Sequence, residues 1–416
     1  MNLLRRIIPS EVAELRRKPV DERVLSGAAM IVEAVRAGGE KALRAECERF
    51  GDLVAGQRLV VSRGSLRAEF EKLDQETKAL LARVHGRIET FARAQRDGLA
   101  DLETAVDGGR AGHRWLPVGS VGAYAPGGRY PLPSSVLMTV TPARVVGVSE
   151  VWVASPRPTP LVMAAAWVAG ADGLLAAGGA QAIAALALGT MTPGCDLIVG
   201  PGNAWVTAAK KYLSGEVGID GLAGPSEILV IADHQADAAL VAADLLAQAE
   251  HDSDAIPALV ATEETLAQRV EAEIRDQLSD LPTAEVARSA FRNGFCVVVD
   301  DLEHAAVIAD GFAPEHLALH VAEPDALAAR VSRYGSLFLG AGAAEAFADY
   351  GVGPNHVLPT GGGARHSAGL SVLTFLRAAT WLQIDPPWSL VADTAMLARL
   401  EGLEGHARAA LRRTAR

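Results

Sequence analysis

The sequence predicts an α/β protein made of two units, each a parallel sheet covered by helices. Three observations carry this. Short, continuous apolar runs alternate with helical ones through the middle of the chain, as strands buried on both faces do. The alternation recurs on both sides of Gly221–Glu227, which argues for two units rather than one long sheet. Glycine-rich turns stand at the ends of strand candidates and lead toward helices.

In chain order, the first 100 residues read as mostly helical, with amphipathic runs at Asp21–Ala37 and Glu76–Ala94. Strand candidates follow at Val151–Val153, Asp196–Val199, Ile228–Ile231, Ala258–Val260 and Cys296–Val299. Helical runs at Leu161–Ala169, Ala180–Leu188, Ala204–Leu213, Ala236–Glu250 and Glu264–Leu278 alternate with them. Between Leu161 and Met191 the only charge is Asp172, a length that invites a transmembrane reading. Gly170, Gly173, Gly178 and Gly179 cut the stretch, so it reads as helix, short buried strand, turn and helix. A loop rich in Gly and Pro, Gly351–Gly363, precedes a return to helix near Ser371.

The bulk numbers narrow the function. A chain of 416 residues has room for two or three domains. Its net charge of −11 is spread among interspersed acids and bases. The local basic runs, Arg16–Lys18 and Arg412-Arg413, read as solvated helix faces. Phosphate contacts need clustered Lys and Arg, so a nucleic-acid partner is not expected. Cys47, Cys195 and Cys296 fit no disulfide or CxxC spacing and read as buried thiols in a reducing cytosol. The opening stretch carries no apolar run of signal-peptide length, and a soluble, cytoplasmic protein is expected.

Three groups of residues are candidates for chemistry. The turns Pro126-Gly127-Gly128, Gly178-Gly179 and Gly200-Pro201-Gly202-Asn203 each aim backbone N–H groups toward a possible anion, although none is G-x-G-x-x-G. On one helix, Asp244, Gln248 and His251 fall at i, i+4 and i+7 and share a face. A His and a second polar ligand one turn apart can grip a metal, while a solvated helix end would show the same spacing. Third, Pro314-Glu315-His316 places two proton-transfer groups side by side between apolar residues. Asp349, His356, Glu401 and His406 follow, and any one of them alone reads as a surface residue.

Together these segments resemble the histidinol dehydrogenase family over about Asp21 to His406. The resemblance is carried by Tyr124–Gly128, Pro133–Met138, Gly178–Ala184, Gly200–Asn203, Ala223–Glu227, Gln248–Asp252, Ala313–Leu317 and Asn355–Thr360. It implies two incomplete Rossmann-like domains and a cytoplasmic homodimer whose helical terminal segments pack on the partner. The boundaries expected are 1–20 for a helical segment, 21–120 with 232–370 for one domain, 121–231 for the nucleotide side, and 371–416 for a helical tail. It implies zinc held by Gln248, His251 and Asp349 of one subunit and His406 of the other. It implies substrate contacts at Ser226, His316 and Glu401 besides the metal ligands, and NAD contacts at Tyr124, Gln181 and Asn203. Asp244 drops out of the ligand set.

The implied reaction is a four-electron oxidation of L-histidinol to L-histidine through the aldehyde, with two NAD reduced. His316 would serve as base for the alcohol and Glu315 would activate water against the aldehyde. Pro126–Leu132 also resembles paralogues that oxidise sulfonated diols, which keeps another diol or amino alcohol open as substrate. The roles of His356 and of His366, which stands where a small or apolar residue is expected, are left open. A zinc hydrolase and a non-catalytic binding protein are the readings from other classes.

Overall fold

The computed structural model describes residues 3–15, 20–53, 56–127 and 131–414, so Arg16–Lys18 and Gly128 lie outside the described residues. One six-stranded sheet runs in the order β2 (Val60–Ser62), β7 (Gly173–Leu175), β6 (Glu150–Ala154), β5 (Ser120–Tyr124), β8 (Leu197–Val199) and β9 (Gly218–Ile219). A second runs β1 (Arg5–Arg6), β12 (Phe295–Val298), β11 (Ile256–Ala261), β10 (Glu227–Ala232), β13 (His316–His320) and β14 (Ser336–Leu339). Every pairing in these two sheets is parallel except that of β2 with β7. Setting the edge strands β1 and β2 aside, each sheet repeats the order 3-2-1-4-5 found in nucleotide-binding folds. The expected α/β class with two Rossmann-like units is therefore what the chain adopts, and the units meet at Gly221–Glu227.

Each sheet lies between two apolar layers, as its unalternated strands require. Leu229 and Ile231 of β10 face one layer with Phe295 and Phe312, while Ile228 and Val230 face the other with Val241 and Leu245. The three cysteines are buried, and burial pushes each thiol up to about 12. Among the described residues no helix is long and apolar enough to cross a membrane.

The domain boundaries need correcting. Residues 22–97 pack chiefly on the β5–β8 sheet rather than on the β10–β13 sheet, although Arg87 donates to the Gly351 carbonyl. The Glu22–Arg49 helix packs on helices Gly179–Leu188 and Ala204–Leu213, and Gln75–Asp97 packs on Pro133–Val145. Their apolar stripes, Ala28-Ile31-Val32-Val35 and Leu81-Ile88-Ala92, cover opposite faces of the β5–β8 sheet. An amphipathic stripe says that a helix is covered and leaves open by what. The first segment is not wholly helical, because β1 extends the β10–β13 sheet. Nor is the tail, since β15 (Leu376–Ile384) pairs antiparallel with β4 (Gly109–Pro117), which pairs with β3 (Leu102–Val106).

The Gly200 turn shows how a glycine loop is fixed. Gly200 sits at φ +109°, where a Cβ would strike the Tyr124 carbonyl oxygen. Asp220 accepts from the Gly200 N–H at 2.6 Å, and Lys210 donates to Asp220 (2.6 Å) and to the Gly200 carbonyl (2.5 Å). Lys210 and Asp220 are both buried at their side chains, 4% and 7% exposed. Replacing Lys210 by Met strands a buried carboxylate and is expected to cost about 3–5 kcal/mol. A melting temperature equal to wild type would show that the pair does not hold the turn.

Candidate active site

Helix Ala238–His251 starts on an Asp237 cap, runs antiparallel to the strands and ends at the amino edge of its sheet. That path delivers Gln248 and His251 beside the first residues of β10 and β13. The Leu302–Phe312 helix ends on Ala313, at φ +56°, after which Pro314 and Glu315 lead into β13 at His316. Because β13 alternates, His316 and Ala318 face the Ala238–His251 helix while Leu317 and Leu319 face the opposite layer. The short helix Glu345–Asp349 then brings two carboxylates, one turn apart, to the same edge.

The cluster is tightly connected. His251 Nε2 lies 3.2 Å from Asp349 Oδ2, and donor atoms of His251, Glu345 and Asp349 fall within 4.8 Å of one another. His316 Nδ1 lies 3.2 Å from the Glu227 carbonyl oxygen and 3.0 Å from the Gln248 amide. A carbonyl only accepts, so Nδ1 carries the proton and Nε2 holds the lone pair. Nε2 is buried and has no partner among the described residues. Glu315 accepts from the Glu227 N–H at 2.9 Å, and Gly361 N–H donates to Glu227 Oε1 at 2.9 Å.

Burial sets most protonation states here. It holds His316 down to about 4 and pushes Glu315 and Glu345 well above the ordinary carboxyl range. The hydrogen bond to Asp349 raises His251 against the opposing effect of burial. For Asp349, burial acts upward, but the His251 hydrogen bond and the charges of His356, His316 and His251 bring it below its usual value. His316 is therefore a neutral base and Glu315 a comparatively strong one.

The donor set fits zinc. At Zn–N and Zn–O distances of about 2.1 Å a tetrahedral site needs ligand atoms about 3.4 Å apart. The His251–Asp349 spacing is already close to that, with the Gln248 side chain one turn away on the same helix. Asp244 instead pairs with His320 Nε2 at 2.8 Å, tying the helix to the far end of β13. Glu401, which caps the end of helix Trp388–Leu400, and His406, on helix Glu404–Leu411, stand exposed, and no tail residue enters the metal cluster among the described residues.

The nucleotide candidates gather at the carboxyl edge of the other sheet. Tyr124 ends β5, and Asn203 follows β8, the neighbouring strand at which the strand order reverses. Asn203 caps its helix through Oδ1, bonded to Trp205 N–H and Val206 N–H, and is exposed. The Gly178-Gly179 turn already has internal partners. Gly178 N–H and the Gln181 amide donate to Asp52, and Gly179 N–H donates to the Tyr124 hydroxyl. Asp52 thus stands where the turn suggested an outside anion. The linker ties the two edges together, since Thr207 donates to the Ala223 carbonyl and Gly224 N–H to Thr360. Ser226 ends that linker, immediately before β10.

Three functional-looking residues were not placed from sequence. Glu345 is 2% exposed, and its i, i+4 relation to Asp349 was a usable signal. Glu227 and His356 lay within the Ala223–Glu227 and Asn355–Thr360 motifs, which gave neither a role. His356 is half-buried between Asp349, whose carbonyl oxygen is 3.0 Å from Nδ1, and Ser135, 3.4 Å from Nε2. His366 is exposed.

Comparison with known proteins decides the family. The histidinol dehydrogenase profile matches residues 15–414. The histidinol dehydrogenase of Thermus thermophilus is 48% identical over 395 residues, covering 94% of each chain. The chain belongs to the histidinol dehydrogenase family. That of Parasynechococcus marenigrum is 44% identical over 92% of this chain and 90% of its own. The crystal structure of histidinol dehydrogenase from Elizabethkingia anophelis superposes with a TM-score of 0.92 at 30% identity, covering 100% of this chain and 98% of its own. An acetylating aldehyde dehydrogenase from Geobacillus thermoglucosidasius shares the fold alone, at a TM-score of 0.50 and 14% identity over 87% of this chain and 97% of its own. Membership makes this chain an oxidoreductase and removes the zinc-hydrolase and binding-protein readings.

Proposed function

We propose that the chain oxidises L-histidinol to L-histidine through the aldehyde, reducing two NAD, in the last steps of histidine biosynthesis. The observation that carries this is the neutral, buried His316 with an unpartnered Nε2, set beside Glu315 and one helix turn from a ready metal cradle. Gln248, His251 and Asp349 would hold the zinc, with His406 of the partner subunit as the fourth ligand. Bound zinc would orient the amino alcohol through its nitrogens and, being redox-inert, leave hydride acceptance to NAD.

His316 Nε2 takes the alcohol proton while the Glu227 carbonyl fixes the ring through Nδ1–H. Glu315, made more basic by burial, takes a proton from water as it adds to the aldehyde. The buried surroundings keep the aldehyde from escaping between the two oxidations. Ser226 and Glu401 would complete the substrate site, and Tyr124, Gln181 and Asn203 the NAD site. A sulfonated diol or other amino alcohol is not favoured, because the relatives of 40–48% identity all carry the histidinol name. Buried, unpaired thiols suit the cytoplasm. The test is the NADH yield from limiting histidinol with zinc-loaded protein. About two per histidinol is expected from the coupled oxidation, and no NADH at all would end this reading.

The acid limb of activity belongs to His251 rather than His316. His316 stays neutral down to about 4. The hydrogen bond to Asp349 raises His251 in the metal-free cluster, so as pH falls protons compete with zinc at His251 before His316 becomes charged. Zinc content and activity are expected to fall together on acidification and to recover with added zinc. Activity lost with zinc fully retained would contradict this assignment.

A further inference from the structure

We propose that Asp52 makes the nucleotide site select NAD over NADP, an inference that rests on the NAD reading above. In nucleotide-binding α/β folds an acid beyond the second strand accepts from the ribose hydroxyls of the adenosine half, and an Arg there accommodates a 2′-phosphate. In the repeated order 3-2-1-4-5, β5 is the first strand here and β6 the second. The residues after β6 are Ser155, Pro156 and Arg157, with no acid among them. Asp52 supplies one from outside the sheet, from the segment between the Glu22–Arg49 helix and β2.

The contacts fix where that carboxylate stands. Its Oδ2 accepts from the Gly178 N–H at 2.9 Å and from the Gln181 amide at 3.0 Å. A Cβ on Gly178 would lie 3.1 Å from the same oxygen and 2.7 Å from Pro156 Cβ, so Asp52 meets the turn after β7 and the loop after β6 at one point. Asp52 is half-buried, and its Oδ1 has no partner among the described residues. Burial pushes the carboxyl upward, opposed by its two hydrogen bonds and the charge of Arg157, and it stays an anion at neutral pH.

Arg157 carries the opposing charge. It lies at φ +45° between Pro156 and Pro158, a left-handed position that an Arg rarely takes. Its side chain is exposed and forms no ion pair among the described residues. The adenosine end of the site therefore has one fixed anion and one mobile cation. A ribose diol can donate to Asp52 Oδ1, whereas a 2′-phosphate meets a carboxylate pinned by the Gly178 turn, a repulsion that the solvated Arg157 offsets only in part.

The test is the Kd of NADH and of NADPH for full-length protein without histidinol, read by nucleotide fluorescence. Wild type is expected to bind NADH at least about tenfold more tightly than NADPH, through like-charge repulsion of the wrong partner. Asp52→Asn keeps an oxygen for the Gly178 N–H and loses the charge, so NADPH should tighten until the two lie within about threefold of each other. In that background Arg157→Ala should weaken NADPH again by about threefold to tenfold and leave NADH within about twofold.

Equal loss of both nucleotides in Asp52→Asn overturns the proposal, because Asp52 would then only hold the turn. Wild type that binds NADPH as tightly as NADH overturns it too. If Asp52→Asn fails to fold, Arg157→Glu decides, since it alters an exposed side chain and adds a second acid. It should weaken NADPH at least about tenfold and leave NADH within about threefold, and equal weakening overturns the proposal. Asn203→Asp keeps its helix cap and sets an acid on the other side of β5, so both nucleotides should weaken together by about tenfold. NADH binding untouched by that change would remove the nucleotide site itself. Weakening there, with an unchanged NADH-to-NADPH ratio in Asp52→Asn, overturns this inference alone.

Discussion

Replacing His316 by Gln is expected to lower kcat by about 10²–10⁴-fold with zinc still bound, the range lost when a positioned general base is removed. Gln can keep the hydrogen bond that Nδ1–H makes to the Glu227 carbonyl, so the fold at the start of β13 should survive. What it lacks is the lone pair at Nε2, the buried nitrogen that has no other partner. The loss should fall on kcat more than on KM and should appear in the first turnover, because the alcohol proton leaves in the first oxidation. Glu315→Gln should behave differently. Its role is in hydration of the aldehyde, so the first NADH should form and the second should not, and the yield should drop toward about one per histidinol. If His316→Gln keeps kcat within about tenfold of wild type, the base lies elsewhere.

Mixing His406→Ala protein with His251→Ala protein is expected to restore activity that neither variant shows alone. In a mixed dimer, one site takes His251 from the first chain and His406 from the second and is intact, while the other lacks both. Random exchange then gives about a quarter of all sites, by the statistics of a two-fold dimer. The fold supports the experiment. Helices Trp388–Leu400 and Glu404–Leu411 pack chiefly on each other through Ala395, Ala398 and Ala407, with Leu411 at the edge. Leu382, Trp388, Met396, Leu397 and Leu400 are 59–75% exposed along this tail, an apolar surface that a partner subunit would cover. Absence of rescue, with dimer exchange shown independently, would place His406 outside the metal site.

Parts of the site were legible in sequence because they are local. Gln248 and His251 share a helix face by spacing alone, and Glu315-His316 is a contiguous pair after a proline. The same spacing nominated Asp244, which the tertiary structure gives to His320. Helical periodicity says which way a side chain points and nothing of what waits there. Asp349 and His406 entered through family resemblance. Glu345 escaped notice although it lies one turn before Asp349, because a Glu in a short helix looks the same whether solvated or buried.

By itself the sequence determined the α/β class, the two parallel-sheet units and the junction at Gly221–Glu227, because continuous apolar strands and helical periods are local signals. The tertiary structure alone decided that residues 22–97 cover the β5–β8 sheet, that β1 and β15 lie within nominally helical ends, and that Asp52 fills the Gly178 turn. Each of these depends on which of several compatible surfaces a segment meets. The chemistry follows the same division. Residue types were readable from the chain, but the neutral state of His316 and the pairing of His251 with Asp349 come from burial and from contacts between residues far apart in sequence.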